Sequence, residues 1–224
     1  MPSEVGHGGI RPTVTQEATR VVSMHLHRHV LKPLGFAKSG LHMYRPTADV
    51  FHGVAVSGDR WASADRGGFS LSVHVSIPSL YSYWCGRGFP KNPNTAYFPL
   101  VAGIAELVPD RRLVDWSVTR ATRLEEMASA AESMVREYAV PYLASLGSKA
   151  MLYERVRTSP KVPGLAPGLA RIVHAMLAHE LGSQDEARAQ LRAAYDESET
   201  PGIADVVETI AARLGMKLRG SMNG

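Results

Sequence analysis

Histidine is the residue type through which this sequence comes nearest to chemistry. His25 and His29 lie four apart, so on a helix they share a face, a spacing from which two imidazoles can hold a divalent metal. His27 points elsewhere, and His52 is the third imidazole that a fold could draw in. Zinc-type centres need three or four ligands. No Glu follows His25 as in zinc-protease helices, and no carboxylate is spaced to complete a set. The histidines read as ordinary partly buried or surface residues, with His25, His29 and His52 as the metal candidates and no cofactor expected. Cys85, in "YWCGRGF", is the other reactive group. Arg87 could lower its pKa and His74 could serve as base, but nothing in the sequence fixes their geometry, and a lone cysteine beside aromatics reads as a packed hydrophobe. "SGDRWASADRGG" has neither a Walker spacing nor a GxGxxG pattern, and Asp59 and Asp65 read as turn residues.

Two aromatic-rich segments remain. One carries Trp61; the other, "YSYWCGRGFPKN", carries Tyr81, Tyr83, Trp84, Arg87 and Phe89. Trp, Tyr and Arg are the side chains that carry binding energy at protein interfaces, because they bury much area and still offer a hydrogen bond. These six residues are the expected binding patch, although aromatics that fold back over the edge of a core would look the same in a sequence.

The elements that must position them follow from periodicity. Thr13 with Gln16 can cap a helix whose Ala18, Val22, Leu26 and Val30 recur every four residues until Pro33 stops it. Leu41 to Arg45 and Val50 to Ser57 read as a hairpin around Pro46 to Asp49. Phe69 to Ile77 alternates apolar and polar residues and is the clearest strand. Pairing these strands in sequence order puts His52 on the core side with Val54 and Val73, and His42 and His74 on the opposite face near Tyr44. Pro78 to Pro99 looks too irregular for a regular element. Leu100 to Val108 and Leu113 to Val118 supply two further strands around a Pro109 to Arg112 turn. A long helix is expected over Arg120 to Ala139, ended or kinked by Pro141. Its Glu125, Glu126, Glu132 and Glu137 form a solvated side, paired in part with Arg123 and Arg136.

Composition sets the limits around this plan. The chain has 224 residues, 45% hydrophobic and 21% charged, enough for a full core. With one cysteine it forms no internal disulfide, which fits a reducing compartment. No apolar run approaches the ~20 residues that cross a bilayer, and Met1 to Ile10 does not read as a signal peptide; a cytoplasmic protein without membrane partners is expected. Net charge is +4, and residues 1–100 hold ten Lys/Arg against five Asp/Glu, so the basic excess sits in the first half. The fold class is α+β: an antiparallel sheet of about five strands flanked by helices, then a small all-helical appendage. Residues 1–12 read as a mobile tail, 13–156 as the α+β domain, 157–168 as a Pro/Gly-rich linker and 169–224 as the appendage. Within the appendage, Gly182 and the inward-facing Ala187, Leu191 and Ala194 resemble one tetratricopeptide-like hairpin.

The helix, Leu31-Lys32-Pro33-Leu34-Gly35-Phe36, the hairpin with Tyr44-Arg45, the alternating strand, Cys85 and "VDW" together resemble a bacterial family catalogued as domain of unknown function 4304, over about Thr19 to Gly147. The resemblance implies a fold and an architectural junction, with Pro33 stopping the helix, Gly35 reversing the backbone and Phe36 covering the end of the core. It implies no activity. Where that family carries a polar, glutamine-containing second strand, this chain has Val54-Ala55-Val56-Ser57, so no ligand contact is carried over there. The function expected is a non-catalytic protein-binding module, immunity-type or regulatory, using the aromatic patch. A nucleic-acid-binding protein is the second reading and a histidine-based metal-dependent hydrolase the third; oligomeric state stays open.

Overall fold

The computed structural model describes residues 12–96, 100–109, 116–159, 161–198 and 201–218. The expected tail lies outside them apart from Pro12, as do the expected turn after Pro109 and Leu113 to Asp115 of the last expected strand. Helix α1 (Val14–Leu26) starts at the expected capping box, in which Thr13 Oγ accepts the Gln16 amide and Gln16 returns to the Thr13 amide. It passes into a π turn (His27–Leu31) and ends before Pro33. Ala18, Val22, Leu26 and Val30 are buried, as their spacing requires.

Five strands lie side by side in the order β1 (Ala37–Ser39), β2 (His42–Pro46), β3 (Phe51–Gly58), β4 (Arg66–Ser76) and β5 (Leu100–Gly103), all antiparallel. A sixth, β6 (Ser117–Thr119), pairs with Arg66 to Gly68 of β4. The first two strands beyond helix α1 are therefore three, since Ala37 to Ser39 adds an edge strand that is too short to leave a pattern. The registers Val54↔Val73 and His52↔Val75 put these four residues on the buried face, and His42, Tyr44 and His74 on the other.

Several expectations need correcting. Pro78 to Cys85 is a helix, α2, with Pro78 in its first turn and Gly86 at φ 67° closing it. Arg213, 128 positions beyond Cys85 in the chain, donates to the Tyr83 carbonyl at 2.7 Å and also to that of Trp84. A guanidinium on the last carbonyls of a helix satisfies orphan acceptors, and no local pattern announces it. The expected strand over Leu100 to Val108 stops at Gly103. A single helical turn, α3 (Ile104–Leu107), follows, with Glu106 Oε1 returning to the Gly103 amide at 2.9 Å. β5 and β6 do not pair with each other; both pair with β4. The long helix starts four residues late, as α4 (Leu124–Met134), and continues through a π turn (Val135–Ala139) into α5 (Val140–Ala144). Pro141 sits in the first turn of α5, where its missing N–H costs little.

Helix α1 lies on β3 and β4, and α4 runs parallel beside α1. His25 Nε2 meets Glu132 Oε2 at 2.7 Å, and Arg136 donates to the His29 carbonyl. Beyond α6 (Lys149–Thr158), α7 (Pro167–Glu180), α8 (Gln184–Asp196) and α9 (Pro201–Arg213) share one contiguous apolar core with the sheet and the first helices. Val162 and Leu165 of the connecting segment are buried, and the Gly164 carbonyl accepts the Val101 amide at 3.0 Å, along the free edge of β5. Gly182, at φ 87°, turns α7 into α8, and Ala187, Leu191 and Ala194 face inward.

Candidate functional site

The expected aromatic patch divides along β4. Trp61 sits in the loop that enters this strand and α2 leaves its far end. Eleven residues at ~3.3 Å each set them about 33 Å apart. On the α2 side the aromatics have internal partners. Tyr81 is buried, and the ring of Phe89 stacks on Phe51 at 5.0 Å and meets Tyr81 edge-on at 5.4 Å. Tyr83 donates its hydroxyl to Glu180 Oε1 at 2.7 Å, and burial together with that carboxylate pushes its pKa up to about 12. Lys149 Nζ reaches the other oxygen of Glu180 at 3.0 Å, so this triad ties α2, α6 and α7 together. Trp84 is half-buried against the core and Arg87 is exposed.

Trp61 is different: it is 90% exposed. Its loop is nonetheless well fixed. Asp59 Oδ1 accepts the Trp61 amide at 2.9 Å, Ser63 Oγ accepts the Arg66 amide at 3.0 Å, and Asp65 pairs with Arg120. These are the local side-chain-to-backbone bonds that stabilise turns. Trp61 therefore stands out from a braced loop. Beside it lies a cleft of about 620 Å³ between the ends of β3, β4 and β6. Its floor is polar and flat: Ser57 and Ser70 face each other across the register and are exposed, and Gly68 presents main chain. Its inner wall is Phe69, stacked on Trp116 at 5.2 Å. Gly67 permits this construction, because a Cβ there would collide with the Thr15 hydroxyl and lie 2.7 Å from the Ala62 methyl. Gly58 likewise faces Thr15, 2.8 Å from where a Cβ would stand. The Gly-Gly dipeptide that resembled no phosphate loop is thus where helix α1 meets the sheet.

The metal candidates do not converge. His25 and His29 lie with ring centroids 4.5 Å apart and planes tilted by 37°, and His25 is bonded to Glu132, whose other oxygen holds Arg136 Nε at 2.8 Å. His52 is buried on the core face of β3, with Nε2 3.1 Å from the Leu146 carbonyl. Among the described residues no group of three or more His, Cys, Asp or Glu is placed to hold a metal ion. One pair escaped the sequence reading: Ser72 Oγ lies 2.9 Å from His74 Nε2, two residues apart on one strand face. Burial, with His42 nearby, lowers the His74 pKa to about 4, so this imidazole is neutral at neutral pH. None of the cleft's lining residues belongs to this pair.

The residues behind the junction likeness come together. The Arg45 guanidinium donates to the Leu34 carbonyl at 2.9 Å, covers the Phe36 ring at 4.9 Å and meets His52 Nδ1 at 3.3 Å. His27 Nε2 lies 3.1 Å from the Phe36 carbonyl. Because Arg45 can only donate, His52 Nδ1 accepts and its Nε2–H donates to Leu146, the neutral form. Burial, with the Arg45 charge, lowers its pKa accordingly. Gly35, at φ 83°, makes the reversal that brings Phe36 under Arg45. The model of the family described as domain of unknown function (DUF4304) matches residues 27–145, just over half of the chain, and the protein belongs to that family. No curated protein and no solved structure matches it. No helix among the described residues is long and apolar enough to cross a membrane.

Proposed function

We propose that this protein is a non-catalytic binding module for a partner protein, of regulatory or immunity type, and that the contact is centred on Trp61 and the cleft beside it. The observation that carries this reading is the 90% exposure of an indole on a loop braced by its own hydrogen bonds. An exposed Trp on a preordered loop loses little conformational freedom on binding and gains a large buried area. Of the six patch residues, Tyr81, Tyr83 and Phe89 already spend their contacts inside the fold and Trp84 is packed against the core, which leaves Trp61 as the anchor and Arg87 as a separate, distant contact. A cytoplasmic location and a bacterial source go with this reading. Affinity purification from the native host with wild type, Trp61→Ala, Trp84→Ala and Arg87→Ala tests it. Loss of a partner protein on Trp61→Ala alone is the expected result. If every partner survives in all three folded variants, the reading fails; if the ligand recovered is nucleic acid that leaves at moderate salt, counterion release identifies the second reading instead.

A further inference from the structure

Between Glu17 and Asp49 the chain has no acidic residue, yet it carries five Lys/Arg and four His. On the outer side of α1 and its π turn this imbalance becomes a ridge. Arg20, Met24, Arg28 and Lys32 follow one another at four-residue steps and all are exposed. The ridge spans about 18 Å at ~1.5 Å per residue. Arg20, Arg28 and Lys32 hold no ion pair among the described residues, and Arg20 Nη1 leans only on Met24 Sδ at 3.9 Å. Several cations on other helices are answered. Arg136 holds Glu132, Arg171 holds Glu197 and Arg123 holds Glu126. Across the α1–α4 contact the facing carboxylate, Glu132, is taken up by His25 and Arg136, so it does not neutralise the ridge.

The ridge also carries two of the few large exposed apolar side chains among the described residues: Met24, 47% exposed, stands between the cations, and Leu34, 37% exposed, lies at its end. A phosphate backbone offers these residues nothing to bury. A protein does, and Met is the side chain that adapts to a partner's surface. We infer that the Arg20–Met24–Arg28–Lys32 ridge is a docking surface for an acidic amphipathic helix of a partner protein. Carboxylates four apart on such a helix recur at the same one-turn spacing as these cations, and an apolar residue between them meets Met24. Helix laid along helix is the ordinary geometry of such recognition. The inference stands apart from the Trp61 reading, since it uses a different surface.

The test is fluorescence anisotropy with three named probes: a helical peptide of about twenty residues with Glu at i,i+4 spacing and Leu between on one face, a duplex DNA of about 20 base pairs, and phosphatidylserine vesicles. The expected result is saturable binding of the peptide that weakens at least about tenfold in Arg28→Glu/Lys32→Glu. Met24→Ser, which leaves charge unchanged, weakens it severalfold, and Trp61→Ala leaves it unaltered. All four positions are exposed, so thermal melting should match wild type and verify folding. Peptide binding that is absent, or indifferent to the charge reversal or to Met24→Ser, overturns the inference. So does tighter, reversal-sensitive binding of the DNA or the vesicles.

Discussion

Arg45 acts at the scale of a single residue, because one planar cation ties the turn after α1 to β3, serving the Leu34 carbonyl, the Phe36 ring and His52. Lysine offers a point charge and cannot bridge them. Arg45→Lys should therefore cost about 2 kcal/mol of stability, close to the loss in Arg45→Ala, as read by urea denaturation. The buried histidines make a second prediction. His52 and His74 have depressed pKa values in the folded protein, so the native state refuses protons that the unfolded chain accepts below about pH 6.5. Stability is then full above that pH and falls as pH drops toward about 4, with His74 alone worth up to about 3 kcal/mol. Urea midpoints between about pH 7 and pH 4.5 should show the decline, and His74→Gln should flatten it. The facing of these side chains was legible in the sequence, because period-two alternation and a hairpin assign His52 inward and His74 outward. The Ser72–His74 bond was not, since it depends on the rotamer by which the imidazole leans over Gly53, its Cγ 3.7 Å from where a Cβ there would stand.

At the scale of elements, the sequence marks those that carry their own pattern. The α1 capping box and stripe and the alternation in β4 are examples, and both emerge as expected. Helix α2 was hidden because Pro and Gly dominate its flanks and its C-terminal carbonyls are satisfied by Arg213 from a distant helix. β5 and β6 were misjoined for a similar reason. Their common partner is β4, whose first residues, Arg66 to Gly68, have no apolar alternation to advertise a strand. The aromatic patch looked like one surface because sequence distance cannot register the length of an intervening strand. The close approach of α1 to the sheet yields a prediction here: Gly67→Ala forces Thr15 and Ala62 apart and should cost about 2 to 3 kcal/mol, measurable in the same denaturation assay. At the other end, Glu180→Ala removes the shared acceptor of Tyr83 and Lys149 and should cost about 1 to 3 kcal/mol. Faster amide exchange confined to α2 and the start of α6 would be its signature.

At the scale of the molecule, the connecting segment that composition marks as a linker meets β5 at Gly164 and buries Val162 and Leu165, and one apolar core runs from α1 to α9. The chain should therefore unfold in a single calorimetric transition, with van't Hoff and calorimetric enthalpies in agreement; two separated transitions would show the helical appendage to be independent. A single contiguous core also gives the strands that carry the Trp61 loop a packed base. The direct test is isothermal titration of the captured partner protein against wild type and Trp61→Ala. Our account predicts that the variant keeps its melting temperature and binds at least about a hundredfold more weakly, as loss of a central aromatic anchor does. Equal affinity in the two proteins would contradict it.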